Sequence, residues 1–205
     1  MIEISMGRAG EGALQAHLMD SMFRLRTEVF HQRLGWDVRV DNGREHDWFD
    51  LIGPRYLVAH SRGSQPQALG CCRLLPANGP NMLRDVFPLL LDGAAAPAAS
   101  DQWEVSRFAV SERCTEGGFG FSDVPAAMVA AVVESAAQHS ISALVGVTSA
   151  AFERMLLGLG LDVRRLGRAR RIGRVMSLAF ELPIHAGNLQ AIGRYAFSTP
   201  ALQAA

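Results

Sequence analysis

The sequence predicts an α/β (α+β) protein, a mixed sheet with helices on both faces, built as one domain over residues 1–205. Three observations carry this. At 205 residues the chain can bury one sizeable core but is short for two. Hydrophobic residues make up 49% of it, yet no apolar run approaches the roughly 18 residues of a membrane span. Segments with strand-like and helix-like periods also alternate along the chain, in the order β, long α, ββ, short α, β, α, β, α, ββ and a closing α.

Residues 2–5 alternate as a short strand. Residues 11–34 follow as an amphipathic helix, with Leu14, Leu18, Met22, Leu25 and Val29 spaced by four, four, three and four. Arg26 and Phe30, also four apart, share a face beside that stripe. Residues 35–53 have no sustained period, and are expected to form a long functional loop holding Trp36, Trp48 and Phe49. Strands at 56–60 and 68–75 read as a hairpin around "SRGSQPQ", and 83–91 as a short helix. "QWEVSRFAV" at 102–110 is a strand, and Ser122 or Asp123 can cap a helix running to about His139, with Pro125 in its first turn. The remainder reads as a strand at 144–148, a helix at 150–159, strands at 162–167 and 174–182, and a helix at 185–197.

Composition excludes several functions. The chain has no lysine, so no Gly-Lys-Ser/Thr phosphate loop exists, and "GGFGF" follows no strand as a dinucleotide fingerprint would. No Gly-x-Ser-x-Gly elbow occurs. Cys71, Cys72 and Cys114 cannot all pair, and with the six histidines lacking ligand spacing, no metal site is expected. A net charge of zero argues against a nucleic-acid surface, and no membrane insertion is expected. The start, "MIEISMGRAGEG", lacks the layout of a secretory signal, so the expected location is the cytoplasm. All basic residues are arginine, and Arg164, Arg165, Arg168, Arg170, Arg171 and Arg174 cluster within "RRLGRARRIGR". That cluster is either a solvated hairpin edge blunted by charge or a dock for an acidic partner protein.

The strand at 102–110 poses the sharper question, because Glu104 and Arg107 are opposite charges inside an apolar run. Taken alone, each is most simply half of a structural ion pair. Together with Arg26, Phe30, Trp36, Glu45, Asp47, Asp50, Arg73 and Phe87, they suit a site for a ligand that is cationic, aromatic and partly apolar.

The series Arg26-x-x-x-Phe30, "LGW" ending at Trp36, Glu45-x-Asp47-x-x-Asp50, "RLLP" from Arg73, Phe87, and Glu104-x-Ser106-Arg107-Phe108 resembles the acyl-homoserine-lactone synthases, the autoinducer synthases of bacterial quorum sensing. The match runs from about residue 24 to 110, and the second half is more loosely similar. The resemblance implies an N-acetyltransferase-like fold with a mostly antiparallel sheet. It also implies acylation of the S-adenosylmethionine amine from acylated acyl carrier protein, then lactone closure with release of methylthioadenosine. S-adenosylmethionine is a substrate here and no cofactor is implied.

On that resemblance Glu104 is the candidate base, with Arg107 and Arg26 completing the catalytic group. The alternative role for Glu104 is to order the cleft by pairing with Arg26 or Arg107. Asp47 and Asp50 would meet the cationic end of S-adenosylmethionine, and Phe30, Trp36, Phe108 and Arg107 would hold its remainder. Ser106, Val129, Val132, Gly146, Thr148 and Phe152 would line the acyl-chain pocket. Family members favouring 3-oxo chains tend to carry Thr where Gly146 stands, so an unsubstituted medium chain is expected. Arg164, Arg165 and Arg168 would dock the acidic carrier protein. Glu104 and Arg107 are expected to face the cleft with Ser106 turned away, unless a bulge breaks the alternation. The competing readings are a non-catalytic ligand-binding relic and a coenzyme-A-dependent N-acetyltransferase, for which "RCTEGGFGFSD" supplies only a distorted pyrophosphate loop.

Overall fold

The computed structural model describes residues 2–114 and 123–195. They fall into two compact units, one of residues 2–73, 107–114, 123–129 and 195, the other of Leu74–Ser106 and Ala130–Arg194.

In the first unit, β1 (Ile2–Gly7) is followed by α1 (Ala16–Arg26) and a π-helix, Thr27–Arg33. Leu14, Leu18, Met22, Leu25 and Val29 are all buried, as their spacing required. The helix starts later than its periodicity suggested, because Gly10 and Gly12 take left-handed φ values of 88° and 51°. It widens at Thr27, whose hydroxyl bonds back to the Phe23 carbonyl and also to that of Gly43, at 3.2 and 3.0 Å. The expected irregular loop holds a short ribbon, β2 (Val40–Asp41) with β3 (Arg44–Glu45), and a 3₁₀ turn at Trp48–Asp50. Asn42-Gly43 closes the ribbon with φ of 50° and 76°, the positive pair that a primed hairpin turn demands. β4 (Arg55–Ser61) pairs antiparallel with β1, from Ile2↔Ser61 to Gly7↔Tyr56. The strand order is β1-β4, then β5 (Ala68–Pro76, here through Arg73), then β6 (Gln102–Val110, here from Arg107).

The second unit takes the rest of β5 and β6, and then β7 (Ala143–Ser149) parallel to β6 with Val105↔Gly146. Between β5 and β6 lie α2 (Met82–Asp85) and a 3₁₀ turn, Pro88–Leu91. The single helix expected over 83–91 is broken because Pro88 has no N–H to offer, and Phe87 before it leaves helical geometry. α3 (Asp123–Gln138) contributes its residues from Ala130, and α4 (Ala150–Gly158) starts at Ser149, whose hydroxyl accepts the Phe152 N–H at 3.1 Å. The strand expected at 162–167 shrinks to β8 (Arg164–Arg165). β9 (Arg170–Ile172) and β10 (Val175–Pro183) form the hairpin, and β10 pairs antiparallel with β7, β8 and β9. α5 (Ala186–Ile192) ends before the expected 197, which lies outside the described residues, as do Ser122 and most of the distorted pyrophosphate loop.

Gly146 faces the Phe180 position of β10, and a Cβ there would collide with the Val105 carbonyl oxygen and come within 3.2 Å of the Phe180 ring. Backbone cannot swing away as a side chain can. Gly146→Ala should therefore lower stability by about 1–3 kcal/mol in urea unfolding.

Candidate functional site

The first unit gathers charges from regular elements around a loop. α1 supplies Arg26, β5 supplies Arg73 and β6 supplies Arg107, while the segment from β3 to the 3₁₀ turn supplies Glu45, Asp47 and Asp50. Arg26 donates through Nε to Glu45 at 2.5 Å and through both terminal nitrogens to Asp50 at 2.8 and 2.9 Å. Arg73 grips Asp47 with two bonds, at 2.5 and 3.0 Å, and reaches Asp50 at 2.9 Å. Arg107 donates to Glu45 at 3.0 Å and lies 2.8 Å from the second Asp47 oxygen. Three guanidinium groups thus meet three carboxylates, and the charges balance.

Burial makes that balance necessary. The Arg26 and Arg73 side chains are 1% and 0% exposed and Glu45 is 0% exposed. Each arginine also lies over an aromatic ring, Arg26 over Phe23 at 5.2 Å, Arg73 over Phe49 at 5.4 Å and Arg107 over Phe30 at 5.4 Å. Phe30 stacks in turn on Trp36 at 5.1 Å. Burial by itself would raise the Asp50 carboxyl, but Arg26 and then Arg73 outweigh it and hold Asp50 well below the usual carboxylate range. Burial likewise works against the Arg26 charge, and Asp50 and Glu45 more than restore it.

The loop is shaped from within as well. Asp47 accepts the Phe49 N–H and Asp50 accepts the Asp47 N–H, both at 2.9 Å, a reciprocal cap that starts the 3₁₀ turn. Asp50 is 5% exposed and all of its oxygens are engaged, whereas Asp47 keeps 19% of its side chain exposed.

Of the expected site residues, the structure brings Arg26, Phe30, Trp36, Asp47, Asp50 and Arg107 together in this unit. Phe108 follows Arg107 on β6 and is half-buried. Glu45 and Arg73, which the sequence offered only as parts of a series, are full members of the lattice. Tyr56 belongs to none of the motifs, yet its hydroxyl donates to Asp50 at 2.8 Å. The one signal for it is that a tyrosine inside an apolar strand must find a polar partner.

Glu45 touches both Arg26 and Arg107. In the second unit Glu104 is 0% exposed, and its oxygens accept the N–H groups of Met82 at 3.0 Å and Leu83 at 2.5 Å. It caps the start of α2 beside Asn81, whose side chain accepts the Arg84 N–H at 3.0 Å. Ser106 is buried with Glu104 rather than turned from it, because residues two apart on a strand share a face. The alternation breaks at Arg107, where φ is 54°, a left-handed value unusual for arginine.

Among the expected acyl-pocket residues, Val129 and Val132 are buried on α3, Gly146 is buried on β7, and Thr148 and Phe152 are half-buried. Gly146 and Thr148 share one face of β7, opposite Val145 and Val147, which pack with Leu83, Leu90 and Ala179. Phe87 packs against that same cluster as core. The arginine cluster is largely paired: Arg164 with Asp162 at 3.3 Å, Arg165 with Glu153 at 2.6 Å, and Arg168 and Arg170 with Asp92 at 3.3 and 2.6 Å. Those arginines hold the Asp92 carboxyl down at about 2, the largest contribution being the Arg168 backbone N–H.

Residues 12–192 match the family model described as autoinducer synthase. The chain belongs to the autoinducer synthase family. An acyl-homoserine-lactone synthase of Pseudomonas aeruginosa is 36% identical over 183 residues, 89% of this chain and 90% of that one. The crystal structure of the AHL synthase LasI superimposes with a TM-score of 0.86 at 34% identity, covering 98% and 99% of the two chains. That of TofI, in a ternary complex with an inhibitor and MTA, gives 0.77 at 32% identity over 93% and 96%. A Lactobacillus plantarum protein assigned as an N-acetyltransferase shares the fold alone, with a TM-score of 0.58 at 14% identity over 89% and 99%. As a synthase of this family the chain is an acyltransferase, and its mixed, mostly antiparallel sheet is the acetyltransferase-like one expected. No helix among the described residues is long and apolar enough to cross a membrane.

Glu45→Gln should destabilise the protein by about 3–5 kcal/mol in urea unfolding, because Arg26 and Arg107 would share an uncharged partner in a buried setting. Acid should act on the same lattice. A depressed Asp50 carboxyl stabilises the fold fully above its unfolded value of about 3.9, and that stability drains away as the pH falls from there toward the folded value. Asp50→Asn, measured by circular dichroism across pH 2–7 (about the range where carboxylates titrate), should be less stable at neutral pH and flatter below pH about 4.

Proposed function

We propose that the chain makes an N-acyl-homoserine lactone from S-adenosylmethionine and an acyl group carried on acyl carrier protein. The observation that carries this reading is the lattice of the first unit, which leaves Asp47 partly exposed beside a stacked Phe30–Trp36 pair covered by Arg107. An acid edge beside aromatic faces suits a ligand with a sulfonium, an ammonium and an adenine ring. The TofI complex with MTA, the thioether left when S-adenosylmethionine gives up its aminobutyryl group, supports the same substrate here.

Asp47 meets the cationic end, while Asp50 and Arg26 hold it in place from behind. Phe30, Trp36 and Phe108 enclose the adenosine and methionine portions, and Arg107 faces the carboxylate. In the first step the neutral amine attacks the thioester carbonyl, an N–C bond forms, the C–S bond breaks and the carrier thiol leaves. Glu104 takes the amine proton through a water. In the second step the substrate carboxylate attacks the carbon bearing the sulfonium, closing the lactone as the C–S bond breaks and methylthioadenosine departs. Positioning supplies that step and no protein nucleophile is required. Ser106, Val129, Val132, Gly146, Thr148 and Phe152 receive the acyl chain. With Gly146 standing where family members that favour 3-oxo chains tend to carry Thr, the chain taken is an unsubstituted one of medium length.

The carrier protein is acidic, and the arginine cluster is the surface that suits it. Arg165 neutralises Glu153, itself buried, so its first duty is structural. Arg168, 83% exposed, and Arg171 and Arg174, which make no ion pair among the described residues, present more of the charge.

Incubation with S-adenosylmethionine and a panel of acyl carrier proteins and acyl-coenzyme A thioesters, read by mass spectrometry, tests donor and chain length together. Lactone and methylthioadenosine should form in equal amounts and fastest from a medium-chain acyl carrier protein; turnover from coenzyme A thioesters alone would refute the donor. Arg171→Glu with Arg174→Glu should raise the KM for acyl carrier protein about tenfold and leave that for S-adenosylmethionine unchanged. Glu104→Gln should lose about 1–3 kcal/mol of stability, since its amide NH₂ would confront an N–H of α2. It should also lose about a hundredfold in kcat, and near-normal turnover would remove Glu104 from the chemistry.

A further inference from the structure

The acids of the lattice sit on an irregular segment, and the groups that fix them come from regular elements. Arginines from α1, β5 and β6 are three of those anchors. The fourth is neutral. Tyr56 opens the buried part of β4, is 2% exposed, and packs its ring edge-on against Phe23 at 6.3 Å. Its hydroxyl donates to Asp50 Oδ1 at 2.8 Å, on the oxygen that also takes Arg26 and Arg73. The other Asp50 oxygen accepts the Asp47 main-chain N–H, so whatever orients Asp50 also orients Asp47. Burial first, and then the adjacent Asp50 charge, push the Tyr56 phenol far above its ordinary range, so it keeps its proton and can only act as the donor here.

The geometry points to Tyr56 as a positioning residue for S-adenosylmethionine: it ties Asp50 to the sheet and through Asp50 sets the place of Asp47. This rests on the assignment of Asp47 to the cationic end of that substrate. An arginine of the lattice cannot test the idea cleanly, because removing it strands a buried carboxylate. Tyr56→Phe can, because it keeps the ring and removes one neutral donor.

For Tyr56→Phe, the Kd for S-adenosylmethionine by calorimetry and its KM should both rise about three- to tenfold, the effect of one lost hydrogen bond. The kcat should stay within about twofold and the KM for the acyl donor should not move. Independently of any ligand, the Asp47 and Phe49 backbone amides should exchange with deuterium about tenfold faster than in the wild type. Unchanged exchange, or an unchanged Kd where the wild type binds, would overturn the role of Tyr56, as would a loss confined to kcat. A wild type that does not bind S-adenosylmethionine, with exchange faster in the variant, would sink the substrate assignment and leave Tyr56 as the anchor of Asp50.

Discussion

Three arginines with almost no solvent contact must find three carboxylates, and this requirement organises the first unit. A guanidinium in a protein interior keeps its charge, so its surroundings have to change instead. The segment from Glu45 to Asp50 is the change: it brings its acids inward at positions where Arg26, Arg73 and Arg107 can each make more than one bond. The aromatic floor answers the same requirement, because Phe23, Phe49 and Phe30 offer the flat faces of the cations an apolar but electrostatically favourable cover.

The division of labour has a mechanical consequence. Cations come from a helix and two strands, whose backbones are fixed by their own hydrogen bonds, and anions come from a segment with little regular structure. The acids therefore inherit their positions from the sheet. Asp50, engaged on both oxygens, is the hub of that inheritance, and Asp47 is the member left partly open to a ligand. The left-handed backbone at Arg107 belongs to the same economy. An arginine adopts φ of 54° inside a strand only where surrounding bonds over-determine it, and Glu45 and Asp47 supply those bonds.

The second unit handles charge differently. Glu104 accepts backbone N–H groups at the start of α2, which offset part of the cost of burying its charge. At the other extreme, the arginine-rich run from Arg164 to Arg174 lies on short strands where Asp92, Glu153 and Asp162 are interleaved with it. A run rich in one sign is thus partly neutralised by acids from other elements, and Arg168 keeps most of its side chain in solvent.

The sequence by itself determined the order of elements, the buried stripe of α1 and the identities of most lattice members, because periodicity and motif spacing are local properties of a chain. The Asn42-Gly43 turn and the break before Pro88 are local features too, set by an Asn-Gly pair that tolerates positive φ and by a proline without an N–H. Pairing was not legible. That Arg26 and Arg107 share Glu45, that Tyr56 reaches Asp50, and that Gly146 abuts the Val105 carbonyl are all decided by which strands lie side by side. A charge carries no label for its partner in one dimension. Only folding, by burying every group at once, selects the arrangement in which none of these charges is left alone.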